Sequence, residues 1–102
     1  MSESLKYYFD PEKNALLKKH RKVSFEKVIE MLRGQGPLDI VDHPNSTRYP
    51  HQKMYVVQID QYAYLVPFVQ TLNDVFLKTI FPSRKANKQY LMNNENKTYD
   101  GN

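Results

Sequence analysis

Between Lys53 and Phe81 three β-rich runs follow one another with links of only a few residues. Lys53 to Asp60, Tyr62 to Gln70 and Val75 to Phe81 are rich in Val, Ile, Tyr and Phe, and polar residues stand between them. Links that short cannot carry a crossover, so the runs must pair as antiparallel neighbours. No other feature constrains the fold of the 102-residue chain as much. Asp60-Gln61 is expected to turn the first run into the second, with weaker turn chemistry than Asn-Gly. Thr71 to Asp74 makes the next turn. Pro67 cannot donate to a ladder, so it argues for an edge position or a bulge. Upstream, Pro37 to Asp42 reads as another strand, and the Pro-, Asn- and Ser-bearing stretch His43 to Pro50 as a loop.

The first third of the chain has helical signals instead. Leu5, Tyr7 and Phe9 alternate with Lys6 and Tyr8 as a short strand. Asp10-Pro11-Glu12 then starts a helix, with Asp as N-cap, Pro at the first helical position and Glu in the first turn. That helix is expected to run from Pro11 to about His20, to bury Leu16 and Leu17, and to end in the basic run Lys18-Lys19-His20-Arg21-Lys22. Ser24 caps a second helix, and Val23 before it can staple onto Val28. Phe25, Val28, Ile29 and Leu32 form one apolar face, and Gly34 ends the helix. After the last strand, Ser83 caps a helix over Arg84 to Met92. The order strand, two helices, four strands, helix predicts an α+β fold. It comprises a small antiparallel sheet covered by the two helices that follow its first strand, and a C-terminal helix. Residues 1–92 form the one expected domain, and the polar tail 93–102 is expected to be disordered.

Composition excludes several function classes. Without cysteine there are no disulfides, no Cys-ligated zinc and no cysteine nucleophile. Only three glycines are present, so there is no Gly-rich phosphate loop. His43 and His51 are poorly spaced as a metal pair, and no metal or other cofactor is expected. The opening MSESLKYYFD lacks a long apolar stretch, so no signal peptide is expected. The most apolar segment, Tyr62 to Val69, is too short to span a membrane. The cytoplasm is the expected location, without membrane association.

Charge is unevenly spread. Residues 1–33 carry eight Lys/Arg against five Asp/Glu, residues 34–74 two against four, and residues 75–92 four against none. Basic ends around an acidic middle suit nucleic acid or an acidic protein partner, and equally a solvated surface.

Two stretches could carry chemistry. In Ser83-Arg84-Lys85-Ala86-Asn87-Lys88-Gln89-Tyr90, the helix N-terminus offers N–H groups to a phosphate. Arg84 and Lys88, four apart, add charge on one side, and Tyr90 could stack on a base or donate a hydrogen bond. The second stretch holds His43, Arg48, Tyr49, His51 and Lys53. Cleaving RNA without a metal needs a base, an acid and cations for the phosphorane charge, and these residue types supply all three. An ordinary solvated basic helix and a surface loop with incidental histidines account for the same patterns. Tyr7, Tyr8, Tyr55, Tyr62 and Tyr64 read first as cross-strand packing.

Phe9-Asp10-x-x-Lys13-Asn14, Lys19-His20 and Val23-Ser24-Phe25-Glu26 together resemble the opening of BrnT-type toxins, and Ile80-Phe81-Pro82-Ser83-Arg84-Lys85-Ala86 resembles their closing strand and Arg-rich helix. The resemblance covers most of Tyr8 to Tyr90. It implies a RelE-like fold and an RNA-cleaving toxin that inhibits translation. It also implies a small DNA-binding antitoxin through which the pair reaches operator DNA. Arg84 matches the arginine after the closing strand. The acidic residue and arginine that enter the third strand of family members are replaced by His51-Gln52-Lys53, which keeps charge at Lys53 without the carboxylate. Lys78 or Thr79 stands near the arginine that members carry within the closing strand. The residues expected to act are therefore Arg84 and Lys53 on the phosphate, and His51 or His43 as base or acid. Lys85, Lys88, Tyr90 and Lys78 are expected to bind RNA. A non-catalytic module that binds protein or nucleic acid is the alternative.

Overall fold

Asp10, Ser24 and Ser83 each start a helix by the expected device. The Asp10 carboxylate accepts from Glu12 N at 3.0 Å, Ser24 Oγ from Lys27 N at 3.1 Å and Ser83 Oγ from Ala86 N at 3.0 Å. A computed structural model of the chain describes residues 5–92 apart from Ser46, Tyr49 and His51. The tail expected to be disordered therefore lies outside the described residues.

The elements are β1 (Lys6–Tyr8), α1 (Pro11–Arg21), α2 (Phe25–Arg33), β2 (Asp39–Asp42), β3 (Gln52–Ile59), β4 (Tyr62–Gln70), β5 (Asp74–Leu77), β6 (Phe81–Pro82) and α3 (Arg84–Ala86). A π-helical segment, Asn87–Met92, follows α3 directly. The protein is an α+β fold built on one sheet, in the order β1-β5-β4-β3-β2 with β6 beside β4. Strands β2 to β5 pair antiparallel in sequence order, with short links from β3 onward. The β1–β5 pair is parallel, a departure from the all-antiparallel expectation. The chain leaves β1 through α1 and α2, enters the sheet at its opposite edge, and meets β1 again only at β5.

Alternation splits the sheet into two faces. Tyr55, Val57, Ile59, Val66, Phe68, Val75 and Leu77 point to one face, where they pack with Leu17, Val23, Phe25 and Val28. Val23 and Val28 both belong to this core, as the staple required. Phe25 is fully buried and stacks on Phe9 at 5.0 Å. Tyr55 stacks on Phe68 at 3.9 Å, and burial pushes its hydroxyl up to about 12, so it stays protonated inside the core.

α1 departs from its expected burial. Leu17 is buried but Leu16 is 53% exposed. The inward side of α1 runs through Asn14, Leu17 and Arg21, at i, i+3 and i+7. Its polar ends tie elements together. Asn14, buried, accepts from Phe25 N at 2.8 Å and donates to Glu26 Oε1 at 2.9 Å. Arg21 Nη1 donates to the Ile80 carbonyl. At the end of α2, Gly34 N bonds Glu30 O and Met31 O, and the left-handed residue is Gly36, with φ 86°.

Two backbone features shape the sheet. Leu77 faces Phe68 and Phe81 faces Leu65, so the three residues Lys78 to Ile80 stand against only two of β4, Val66 and Pro67. This bulge splits the single expected strand Val75 to Phe81 into β5 and β6. Pro67 lies in the central strand β4 beside the bulge, and its carbonyl accepts from Lys78 N at 2.8 Å. The β3–β4 turn has positive φ at both Asp60 (51°) and Gln61 (68°). Such a turn favours glycine at its second position, because a side chain strains a left-handed backbone. Gln61→Gly should raise the Tm by about 3–6 °C in a circular dichroism melt. An unchanged or lower Tm would show that the turn stores no strain.

Candidate functional site

The second face of the sheet is only half covered, and the cover is the closing segment. Ser83 N bonds Ala63 O at 3.1 Å, and Asn87 Oδ1 accepts from Ala63 N at 3.0 Å, so both ends of α3 are pinned to the same residue of β4. Ala63 is fully buried, and its small side chain lets the segment lie close over β3 and β4. Val56, Ala63 and Ala86 form a second small core there, with Val41, Leu65, Tyr90 and Leu91 against it.

The helix expected over Arg84 to Met92 is one α-turn followed by a π-helix. Lys85, from the α-turn, and Tyr90, from the π-helix, line the same cleft of about 300 Å³. The opposite wall is made by Val41, Asp42, Pro44 and Met54, from β2, the start of the following loop and β3. Arg84 and Lys88 are exposed and line none of five clefts on the described surface. The short α-turn, whose Ala86 N–H is already taken by Ser83, has little dipole to offer a phosphate. Charge on the side chains must supply what the helix end was expected to give.

Tyr90 has a structural task. Its hydroxyl donates to Asp39 Oδ2, which ties the π-helical segment to β2. The bond from Tyr90 holds the Asp39 carboxyl below its ordinary range, and Asp39 in turn raises the Tyr90 hydroxyl. Tyr90→Phe should leave the main core intact and speed proteolytic clipping of residues 87–92, read by mass spectrometry. Equal clipping of both proteins would show that the bond does not secure the segment.

The loop side is assembled by β2 and β3. Register sets Asp42 opposite Lys53, and Lys53 Nζ lies 2.7 Å from Asp42 Oδ1. A carboxylate therefore does accompany Lys53, from the neighbouring strand rather than from its own. Sequence reasoning missed Asp42 because strand pairing, not local spacing, brings it there. Both side chains are exposed, so the pair contributes only about 0–1 kcal/mol to stability. His43 follows Asp42. Its N–H donates to Gln52 O at 3.2 Å, and its Nδ1 accepts from Asn45 N at 3.0 Å. In the neutral ring this places the proton on Nε2. His51 and Tyr49 lie outside the described residues.

Of the expected residues, the fold brings Lys85 and Tyr90 to one wall of the cleft, while Lys53, paired with Asp42, and His43 lie outside its lining. Arg84 and Lys88 stand on the outside of the same segment. Lys78 belongs elsewhere, in a cleft with Tyr8, Lys13 and Phe76. A further histidine, His20, shares a cleft with Lys13, Arg21 and Thr79, and its Lys-His sequence motif was the available signal. Among the described residues no three His, Asp or Glu side chains are grouped to hold a metal. None of the described helices is long and apolar enough to cross a membrane.

Fold and site define a small basic α+β protein with a cleft, lined by Lys85, Tyr90 and Asp42, on a half-covered sheet face. The chain matches no protein-family model, no curated protein and no solved structure.

Proposed function

We propose that this protein is a metal-independent endoribonuclease that serves as the toxin of a bacterial toxin–antitoxin pair and inhibits translation in the cytoplasm. The observation that carries this is the closing segment. It sets Lys85 on a wall of the cleft, with Arg84 and Lys88 exposed on the outside of the same segment, and residues 75–92 carry four cations and no carboxylate of their own. A phosphodiester is drawn to such a segment, and Arg84 can grip it with a two-pronged fork. His43, beside Asp42, is the candidate base or acid among the described residues. His51 shares that role by sequence. The motif resemblance from Phe9 to Ala86 supports the same reading.

The partner is a DNA-binding antitoxin, and the toxin reaches operator DNA only through it. Strand β2 is a sheet edge; Ile40 within it and Leu38 just before it are 49% and 43% exposed. An amphipathic, acidic antitoxin segment laid along this edge would cover apolar surface and close the cleft.

The test is inducible expression of the wild-type protein and of Arg84→Ala in bacteria, reading growth and bulk RNA. Arrest with RNA breakdown that the variant relieves, and cleavage by purified protein that persists in EDTA, are the expected results. Healthy growth with intact RNA from both proteins would sink the proposal. One observation favours a second reading, a module that binds without cutting. None of the five clefts takes Arg84, Lys53 or His43 into its lining. That reading expects tight antitoxin or RNA binding with every RNA left whole.

A further inference from the structure

At the end of the sheet away from the closing segment, the second face is open. Register sets Tyr8 of β1 opposite Phe76 of β5, and Phe76 opposite Val69 of β4. The Tyr8 and Phe76 rings stack, with centroids 5.2 Å apart and planes 23° from parallel. They are nevertheless 44% and 39% exposed. A stacked aromatic pair usually adds to a core, as Tyr55–Phe68 does here. This one turns ring surface to water.

Cations flank the pair. A cleft of about 500 Å³ beside it is lined by Lys13 from α1 and Lys78 from the bulge, both exposed. Lys13 also lines the next cleft, which holds His20 and Arg21. Asp10 is the one carboxylate in these two linings, and its side chain caps α1. A purely apolar partner would use the rings but leave the lysines desolvated. A nucleic-acid strand uses both, its base on the rings and its phosphates on the amines.

We infer that Tyr8 and Phe76, flanked by Lys13 and Lys78, form a stacking site for one or two bases of single-stranded RNA, separate from the cleft under the closing segment. This rests on the reading of the protein as one that acts on RNA, and it gives Lys78 a role away from Arg84. A single strand is required because paired bases do not offer their faces.

Fluorescence anisotropy with a 5′-fluorescein-labelled ten-nucleotide oligoadenylate RNA tests it. The variants are Tyr8→Leu/Phe76→Leu, which keeps apolar bulk but removes the rings, and Lys13→Ala/Lys78→Ala. The leucine variant should bind about ten- to a hundredfold more weakly. The alanine variant should lower the slope of log affinity against log salt by about 1.4. A ten-base-pair RNA duplex should not distinguish the leucine variant from the wild type. Wild-type affinity in a folded leucine variant, or equal preference for the duplex, would overturn the inference. So would unchanged RNA binding combined with lost self-association in that variant, which would make the pair a protein interface. Cleavage that needs Arg84 but ignores the rings would overturn this site alone. Absence of both binding and cleavage in the wild type would overturn the functional reading with it.

Discussion

Asn14→Ala should lower the Tm by about 10–20 °C, followed by circular dichroism or calorimetry. The Asn14 side chain accepts from Phe25 N and donates to Glu26, at the point where α1 meets the start of α2. Truncation leaves the buried Phe25 N–H without its acceptor and opens a small void beside it. An unsatisfied buried donor costs about 1–3 kcal/mol, and the void adds to that. Small domains have only about 5–15 kcal/mol of stability in all. A shift under about 3 °C would mean that water or a local adjustment replaces Asn14.

The same contact sets a pH dependence. The hydrogen bond from Asn14, with help from the Glu26 backbone and Lys18, holds the Glu26 carboxyl below its ordinary value. A carboxyl lowered in the folded state contributes stability above its unfolded pKa, and that contribution is lost as pH falls through the folded one. The wild type should therefore weaken on acidification through the carboxylate range more steeply than Asn14→Ala. Asn14→Asp keeps an acceptor for Phe25 N–H but sets two carboxylates together. Their repulsion raises the pair above the ordinary range, so this variant should gain stability as pH falls there, opposite to the wild type.

Arg84→Ala should reduce RNA cleavage by purified protein about 10²- to 10³-fold, the cost of removing one group that stabilises developing transition-state charge. Arg84 is exposed at the start of the closing segment, so the substitution should move the Tm by no more than about 3 °C. Arg84→Lys keeps the charge but loses the two-pronged fork, and should fall between the wild type and alanine. Cleavage by Arg84→Ala at the wild-type rate would remove Arg84 from the site and turn attention to His20 and Lys13 in their own cleft.

How far the chain could be read depended on whether the cause was local. Asp10, Ser24 and Ser83 cap their helices because a cap is made by a residue and the N–H groups just after it. Phe25 and Val28 are buried as their spacing required. Leu16 was misjudged because the buried side of α1 runs through Asn14 and Leu17, and local sequence does not say which side of α1 the sheet will take. Asn14 and Arg21 gave no apolar signal, although both belong to the inward side.

The site was less legible for the same reason. Arg84, Lys85 and Lys88 stood out as a basic run, but local sequence did not show that Lys85 and Tyr90 line one cleft while Arg84 and Lys88 stay outside it. Tyr90 was expected at RNA and is held by Asp39, a residue far away in the chain. The carboxylate beside Lys53 is Asp42, supplied across a strand pair.

By itself the sequence determined the first two helices, the three helix caps, the antiparallel run of strands and the basic character of the closing segment, because periodicity, capping and short links act over a few residues. Only the tertiary structure decided that β1 pairs in parallel with β5, which half of the second face stays open, and which cations share a cleft. Those outcomes depend on contacts between residues distant in sequence, whose partners are chosen when the sheet closes and the helices settle on it.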